Sequence, residues 1–111
     1  MFIINSMSLK EKQKEVDEWV KEHAGGYWPA LEQMARLSEE TGEVARELNH
    51  IHGTKKKKGS EETKELADEL VDVIFTAICL ANSHNIDLEE AWKKVMKEKH
   101  YGRDIDRYKK E

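Results

Sequence analysis

Two acidic clusters in this chain have the residue types and spacing of a cation site. Glu39, Glu40 and Glu43 fall in the stretch LSEETGEVAREL, and Glu69 and Asp72 fall in LADELVDVIFTAICLA. Glu40 and Glu43 are three residues apart, as are Glu69 and Asp72, so on helices each pair stacks one turn above the other on a single face. Two such faces make four hard oxygen ligands. Asp72 lies inside a run from Leu70 to Ala81 in which Thr76 is the other polar residue. A carboxylate in such a setting has to be paired or to hold a cation. Facing the two acidic arcs across a groove produces repulsion on the order of several kcal/mol at intermediate dielectric, more than one nearby arginine, Arg36, would cancel. A divalent ion resolves it. Carboxylates without histidine or thiolate partners suit Mg2+, with Mn2+ as a substitute, and Mg2+ fills the rest of its shell with water and substrate phosphate oxygens. Glu39 is rotated about a third of a turn from the ligand pair, where it could orient or deprotonate a water. Lys99 and Arg103, four apart, and then Arg107 are candidate phosphate contacts. Tyr27 and Trp28 are candidates to stack on a base, or to pack in a core or interface.

Four helices are predicted to position these groups. Ser8 with Glu11 has the capping-box pattern and is followed by apolar Leu9, Val16, Trp19 and Val20, giving a first helix over about 8–23. Residues 24–26 break it. Pro29 suits a first-turn position, and Met34, Leu37, Thr41, Val44, Leu48 and Ile51 recur at alternating steps of three and four, a second helix with a bundle seam. The segment 53–59, with its run of Lys55 to Lys58, reads as a solvated loop, and Ser60 as the cap of a third helix reaching about His84. Asp87 and Glu90 repeat the capping-box pattern and open a fourth helix ending near Gly102. On the third helix Glu65, Asp68, Glu69 and Asp72 share one arc, while Leu66, Leu70, Val73, Ile74 and Ala77 fill another. Beyond Val73 nearly every direction is apolar. Such a helix needs cover on more than one side, which a dimeric bundle supplies better than a monomer. The expected fold is all-α, a four-helix bundle-like protomer that assembles into a homo-oligomer, either a homodimer or a dimer-of-dimers tetramer.

Composition narrows the class further. At 111 residues, with 38% charged residues, one proline and six glycines, the chain reads as one helical domain over 1–111, with 1–7 a flexible N-terminus and 103–111 a charged tail. A net charge of -4 and mixed or acidic helix faces argue against nucleic acid as a partner. The N-terminal apolar run is too short for a signal peptide, and no stretch reaches membrane-spanning length. The lone Cys79 lies in the apolar run as a core thiol, which fits a reduced, cytoplasmic setting.

The motif pair E-E-x-x-E and E-x-x-D, here Glu39-Glu40-Thr41-Gly42-Glu43 and Glu69-Leu70-Val71-Asp72, resembles that of the MazG-type nucleoside triphosphate pyrophosphohydrolases of the all-alpha superfamily. MARLSEETGEVARELNH, CLANSHNIDLEEA and KHYGRDIDRY extend the likeness over about 27–108, closest to the short single-domain members. The resemblance implies that Glu40, Glu43, Glu69 and Asp72 bind Mg2+, that Glu39 assists the attacking water, and that Lys99 and Arg103 contact phosphates. It implies hydrolysis of a nucleoside triphosphate, standard or modified, to monophosphate and pyrophosphate as house-cleaning or pool control. Three other readings compete. Acids at this spacing also form surface ion pairs worth under about 1 kcal/mol each, so the chain could be a non-catalytic interaction or regulatory module with a structural acidic groove. Glu47 and His50 form one E-x-x-H, but di-iron bundles need that motif twice. A phosphoribosyl-ATP hydrolase shares the acidic logic, yet the RDIDRY ending does not suggest it.

Overall fold

The computed structural model describes residues 7–54 and 62–108. The expectations for residues 1–6, the lysine run, the Ser60 cap and the last three residues lie outside them. Helix α1, Leu9–Trp19, starts at a reciprocal capping box: Ser8 Oγ accepts from Glu11 N at 3.1 Å and Glu11 Oε1 accepts from Ser8 N at 2.8 Å. It widens into a π-helical turn, Val20–Ala24, and stops at Gly25, whose φ of 73° is costly for any residue with a Cβ. Helix α2 spans Ala30–His52 and α3 spans Glu62–Ser83. Pro29 is the residue before α2, not part of its first turn. Helix α4, Leu88–Val95, is capped by Asp87, which accepts from the amides of Glu89 and Glu90. The Glu90 side chain pairs with Lys93 at 3.6 Å. Among the described residues there is no β-strand.

The fourth helix does not end near Gly102, and the charged segment after it begins in helical form. The chain continues from α4 through a wide π-helical stretch, Met96–Asp104, into a closing turn, Ile105–Arg107. A Cβ on Gly102 would stand 2.9 Å from Lys97 O, so this glycine permits the close approach of a wide turn and does not signal a stop.

Helices α2 and α3 pack along each other for most of their length, α1 lies against α3, and α4 lies against α1. The apolar core is small: Val16, Val20 and Ile78, with Tyr27, Cys79 and Leu88 packed around them. A polar network completes it. Gln13 Nε2 donates to Asn82 Oδ1 and Ile86 O, both at 2.8 Å, and Gln13 Oε1 accepts from Leu88 N at 2.8 Å. Asn82 Nδ2 donates to Gln13 O and to the Tyr27 hydroxyl, which itself donates to Asp17 at 2.6 Å. One glutamine thus joins α1 to the α3–α4 turn. Gln13→Ala leaves several buried groups without partners at about 1–3 kcal/mol each, so a loss of about 3 kcal/mol is expected in urea unfolding. A loss below about 0.5 kcal/mol would show the network to be solvated.

The seam predicted on α2 is divided between two faces. Leu37, Val44 and Ile51 are partly buried, while the positions buried most deeply on α2 are polar: Gln33, Glu40 and Glu47. Met34, Thr41 and Leu48 face outward. On α3, Leu70, Val71, Ile74 and Phe75 are exposed. Trp92 on α4, and Tyr101, Ile105 and Tyr108 on the C-terminal helix that continues it from Met96, are likewise exposed.

Candidate active site

Helices α2 and α3 run antiparallel, which sets Glu40 level with Asp72 and Glu43 level with Glu69. The four predicted ligands therefore meet as two rungs between the helices. Glu40 is 3% exposed. One of its oxygens pairs with Arg36 Nε at 3.4 Å, and its buried Oε2 meets no protein donor. Its carboxyl lies within hydrogen-bonding reach of Asp72, so two acids face each other across the helix pair. Burial first, then repulsion from Glu43 and Asp72, raises its pKa against the opposing pull of Arg36. The second rung behaves alike: a hydrogen bond with Glu43, then burial, then the charges of Glu43, Asp72 and Glu40 push Glu69 up to about 7.

Among the described residues no three His, Cys, Asp or Glu side chains already have their donors set around one metal position. The carboxyls are paired rung by rung instead. Glu43 and Asp72 are both exposed, so no surrounding packing holds either side chain to one rotamer. The fit to a hard divalent cation rests on donor chemistry, four carboxylates without nitrogen or sulfur, and on the orphaned Oε2 of Glu40 between them.

Glu40 and Asp72 also line a cavity of about 400 Å³. Its other walls are Trp19, Tyr27, Trp28, Gln33, Arg36, Phe75, Thr76 and Cys79, with the α1–α2 turn at Ala24 and Gly26. Trp19 and Phe75 meet edge to face with centroids 5.8 Å apart. Trp28 is 55% exposed at the rim. Tyr27 is committed elsewhere: burial and its bond to Asp17 push its pKa up to about 12, which makes it a structural hydroxyl. Acidic groups beside an aromatic slot suit a ligand with a polyanionic end and a flat end.

The remaining predicted residues are not gathered at this point. Glu39 is exposed on the flank of α2 and does not line the cavity. Lys99, Arg103 and Arg107 stand on the helical chain that continues α4 through Met96–Asp104 and Ile105–Arg107. Arg103 Nε and Arg107 both bind Asp104, at 3.0 and 3.6 Å, and Arg103, followed by His100, holds the Asp104 carboxyl below its usual range. Arg36, Trp19 and Phe75 escaped sequence reasoning as cavity walls. Trp19 and Phe75 belong to different helices, and no local pattern links them, whereas Arg36 could have been found as the residue one turn before Glu40.

The raised pKa of Glu69 has a testable sign. Between the model-compound value of 4.5 and about 7 the folded protein keeps a proton that the unfolded chain has lost, so this stabilisation is full at low pH and disappears as pH rises through the window. Glu40 acts in the same direction. In EDTA the urea midpoint is expected to fall between about pH 5 and pH 8, and Mg2+ to restore it increasingly above about pH 7, where the ligands are ionised. A midpoint that rises with pH in EDTA would contradict the rung geometry.

Comparison with known proteins gives concordant results. A family model described as the MazG nucleotide pyrophosphohydrolase domain matches residues 30–107. YpjD of Bacillus subtilis (strain 168) is 46% identical over 105 residues, covering 95% of this chain and 94% of that protein. Its crystal structure superposes with a TM-score of 0.77 at 45% identity, over 86% of this chain and 97% of that chain. The crystal structure of the Bacillus-conserved MazG protein, a nucleotide pyrophosphohydrolase, gives 0.71 at 46% identity, over 84% and 90%.

Proposed function

The chain belongs to the MazG nucleotide pyrophosphohydrolase family, and from that premise we propose that this enzyme uses Mg2+ to cleave nucleoside triphosphates between the α and β phosphates, releasing monophosphate and pyrophosphate. The observation that carries the reading is the meeting of Glu40, Glu43, Glu69 and Asp72 between α2 and α3, beside an aromatic cavity. These four residues would hold Mg2+, which supplies charge neutralisation on the phosphate oxygens. Glu39 orients a water and takes its proton as the new P–O bond forms and the α–β anhydride bond breaks. Arg36, at the cavity wall, binds phosphate oxygens when substrate displaces its pairing with Glu40. Trp28 stacks on the base at the rim, with Trp19 and Phe75 forming the apolar wall behind it.

Lys99, Arg103 and Arg107 contact the pyrophosphate portion in this reading, and they do so across a subunit boundary. Their helix packs through α4 onto α1, while the acidic rungs lie between α2 and α3. A second copy resolves two observations together: the exposed apolar face of α3 beside the rungs, and the exposed aromatic residues of α4 and the helical chain that follows it. It also brings a basic arm to an acidic groove. No helix among the described residues is long and apolar enough to cross a membrane. The test is a product screen across standard, deoxy and oxidised triphosphates with and without Mg2+. Equimolar monophosphate and pyrophosphate, dependent on the metal, are expected. Release of diphosphate and orthophosphate, or no metal dependence, overturns the assignment.

A further inference from the structure

The aromatic cavity shares a wall with a broader open groove of about 920 Å³ on the other side of the α1–α2 turn. Tyr27, Trp28 and Gln33 line both. Gln33 is the unusual member, because it is 4% exposed and yet polar. Its Nε2 donates to Trp28 O at 2.7 Å and to Ser83 Oγ at 3.1 Å. A backbone carbonyl only accepts, so the amide nitrogen must face Trp28 and the group cannot be flipped. Ser83 Oγ uses its own hydrogen on Leu80 O at 3.1 Å and is left to accept. Both hydrogens of the Gln33 amide are therefore committed. Its oxygen lies buried with no protein partner among the described residues.

A desolvated acceptor without a donor costs stability, which offsets part of what the two donated bonds contribute. Those donors tie the Trp28 peptide to the end of α3. Trp28 needs such a tie. It follows Gly25 and Gly26, both at positive φ, and its own ring is 55% exposed, so packing alone does not fix it. We propose that Gln33 is a positioning residue that clamps the Trp28 peptide and so holds the indole at the cavity rim as a preformed platform for the base of the substrate. The proposal rests on the reading of Trp28 as the base platform.

Gln33→Met keeps length and volume and removes both donors. It is expected to raise the KM for a nucleoside triphosphate by about fivefold, a fraction of what one stacked base contributes, with kcat near that of the parent and a fall in Tm from the donor that Trp28 O and Ser83 Oγ lose. In a Trp28→Ala background the same substitution is expected to add nothing to KM, because both changes remove one effect. Ser83→Ala, which leaves the Trp28 contact in place, is expected to give a smaller rise. The clamp also has a readout without nucleotide: in protein with Trp19→Phe and Trp92→Phe, Gln33→Met lowers the fluorescence anisotropy of Trp28. Unchanged anisotropy overturns the clamp, as does a KM increase of equal size in both backgrounds. A fall in Tm with KM unaltered also overturns it, by making Gln33 a packing residue. Lowered anisotropy with unchanged KM in Gln33→Met and Trp28→Ala alike instead removes Trp28 from the substrate site, and with it the purpose assigned to the clamp.

Discussion

Glu40→Gln is expected to reduce pyrophosphate release by about three orders of magnitude and, in the same protein, to raise the stability of the metal-free fold at neutral pH. The two effects share one cause. Glu40 is 3% exposed, and its carboxyl faces Asp72 with Glu43 close by, so its charge is desolvated among like charges and only partly offset by Arg36, which is itself half exposed. The neutral amide keeps the shape, removes the repulsion and can donate to Asp72, which the carboxylate cannot do without a proton. What it cannot do is supply the anionic oxygen that a hard cation needs. Asp72→Asn is expected to behave likewise from the opposite side of the rung. Urea unfolding in EDTA at about pH 8 should show both variants with higher midpoints than the parent, and Mg2+ should no longer shift them. If either variant keeps more than a tenth of the activity, the rung is not the metal site; if either is less stable than the parent, repulsion between the facing acids is not what the amide relieves.

The sequence made this rung legible because it is written in local spacing. Two carboxylates three apart, on each of two helices, can be read without knowing the fold, as can the cap at Ser8 and the cap at Asp87. Two kinds of feature were hidden. The first depends on which face of a helix meets which neighbour: the spacing of Met34, Leu37, Thr41, Val44, Leu48 and Ile51 predicts one seam on α2, whereas only Leu37, Val44 and Ile51 are partly buried and the most buried positions are Gln33, Glu40 and Glu47. A buried glutamine and a solvated one have the same letter, and only the partners, Trp28 O and Ser83 Oγ, tell them apart. The second depends on contacts between distant segments. Trp19 and Phe75 form one wall of the cavity, yet no periodicity connects α1 to α3. At Gly102 a stop signal was read where the chain makes a wide turn, because a glycine that ends a helix and one that admits a carbonyl at 2.9 Å look the same in sequence.

Mixing two inactive variants is expected to restore about a quarter of the parental activity, if the basic arm of one subunit serves the acidic rungs of another. One variant is Asp72→Asn, with its arm intact. The other carries Lys99→Ala and Arg103→Ala, with its rungs intact. When the two are unfolded together and refolded, half of the dimers contain one chain of each kind. In such a dimer one site combines the damaged rungs with the damaged arm and is dead, whereas the other combines intact rungs with an intact arm and is whole. One whole site in half of the dimers is a quarter of the total. An arm that folded back onto its own rungs would give nothing, because every chain carries one defect or the other. The geometry favours the first outcome. The C-terminal helix leaves the body of the protein on α4, away from the α2–α3 pair, and Trp92 on α4 with Tyr101 and Tyr108 beyond it are exposed, as expected of a surface shaped to lie against another chain. Arg103 and Arg107 share a single partner, Asp104, at mostly exposed positions, where ion pairs contribute little and exchange readily for a phosphate. A mixture with no more activity than its separately refolded components would return these cations to their own subunit, or remove them from the site.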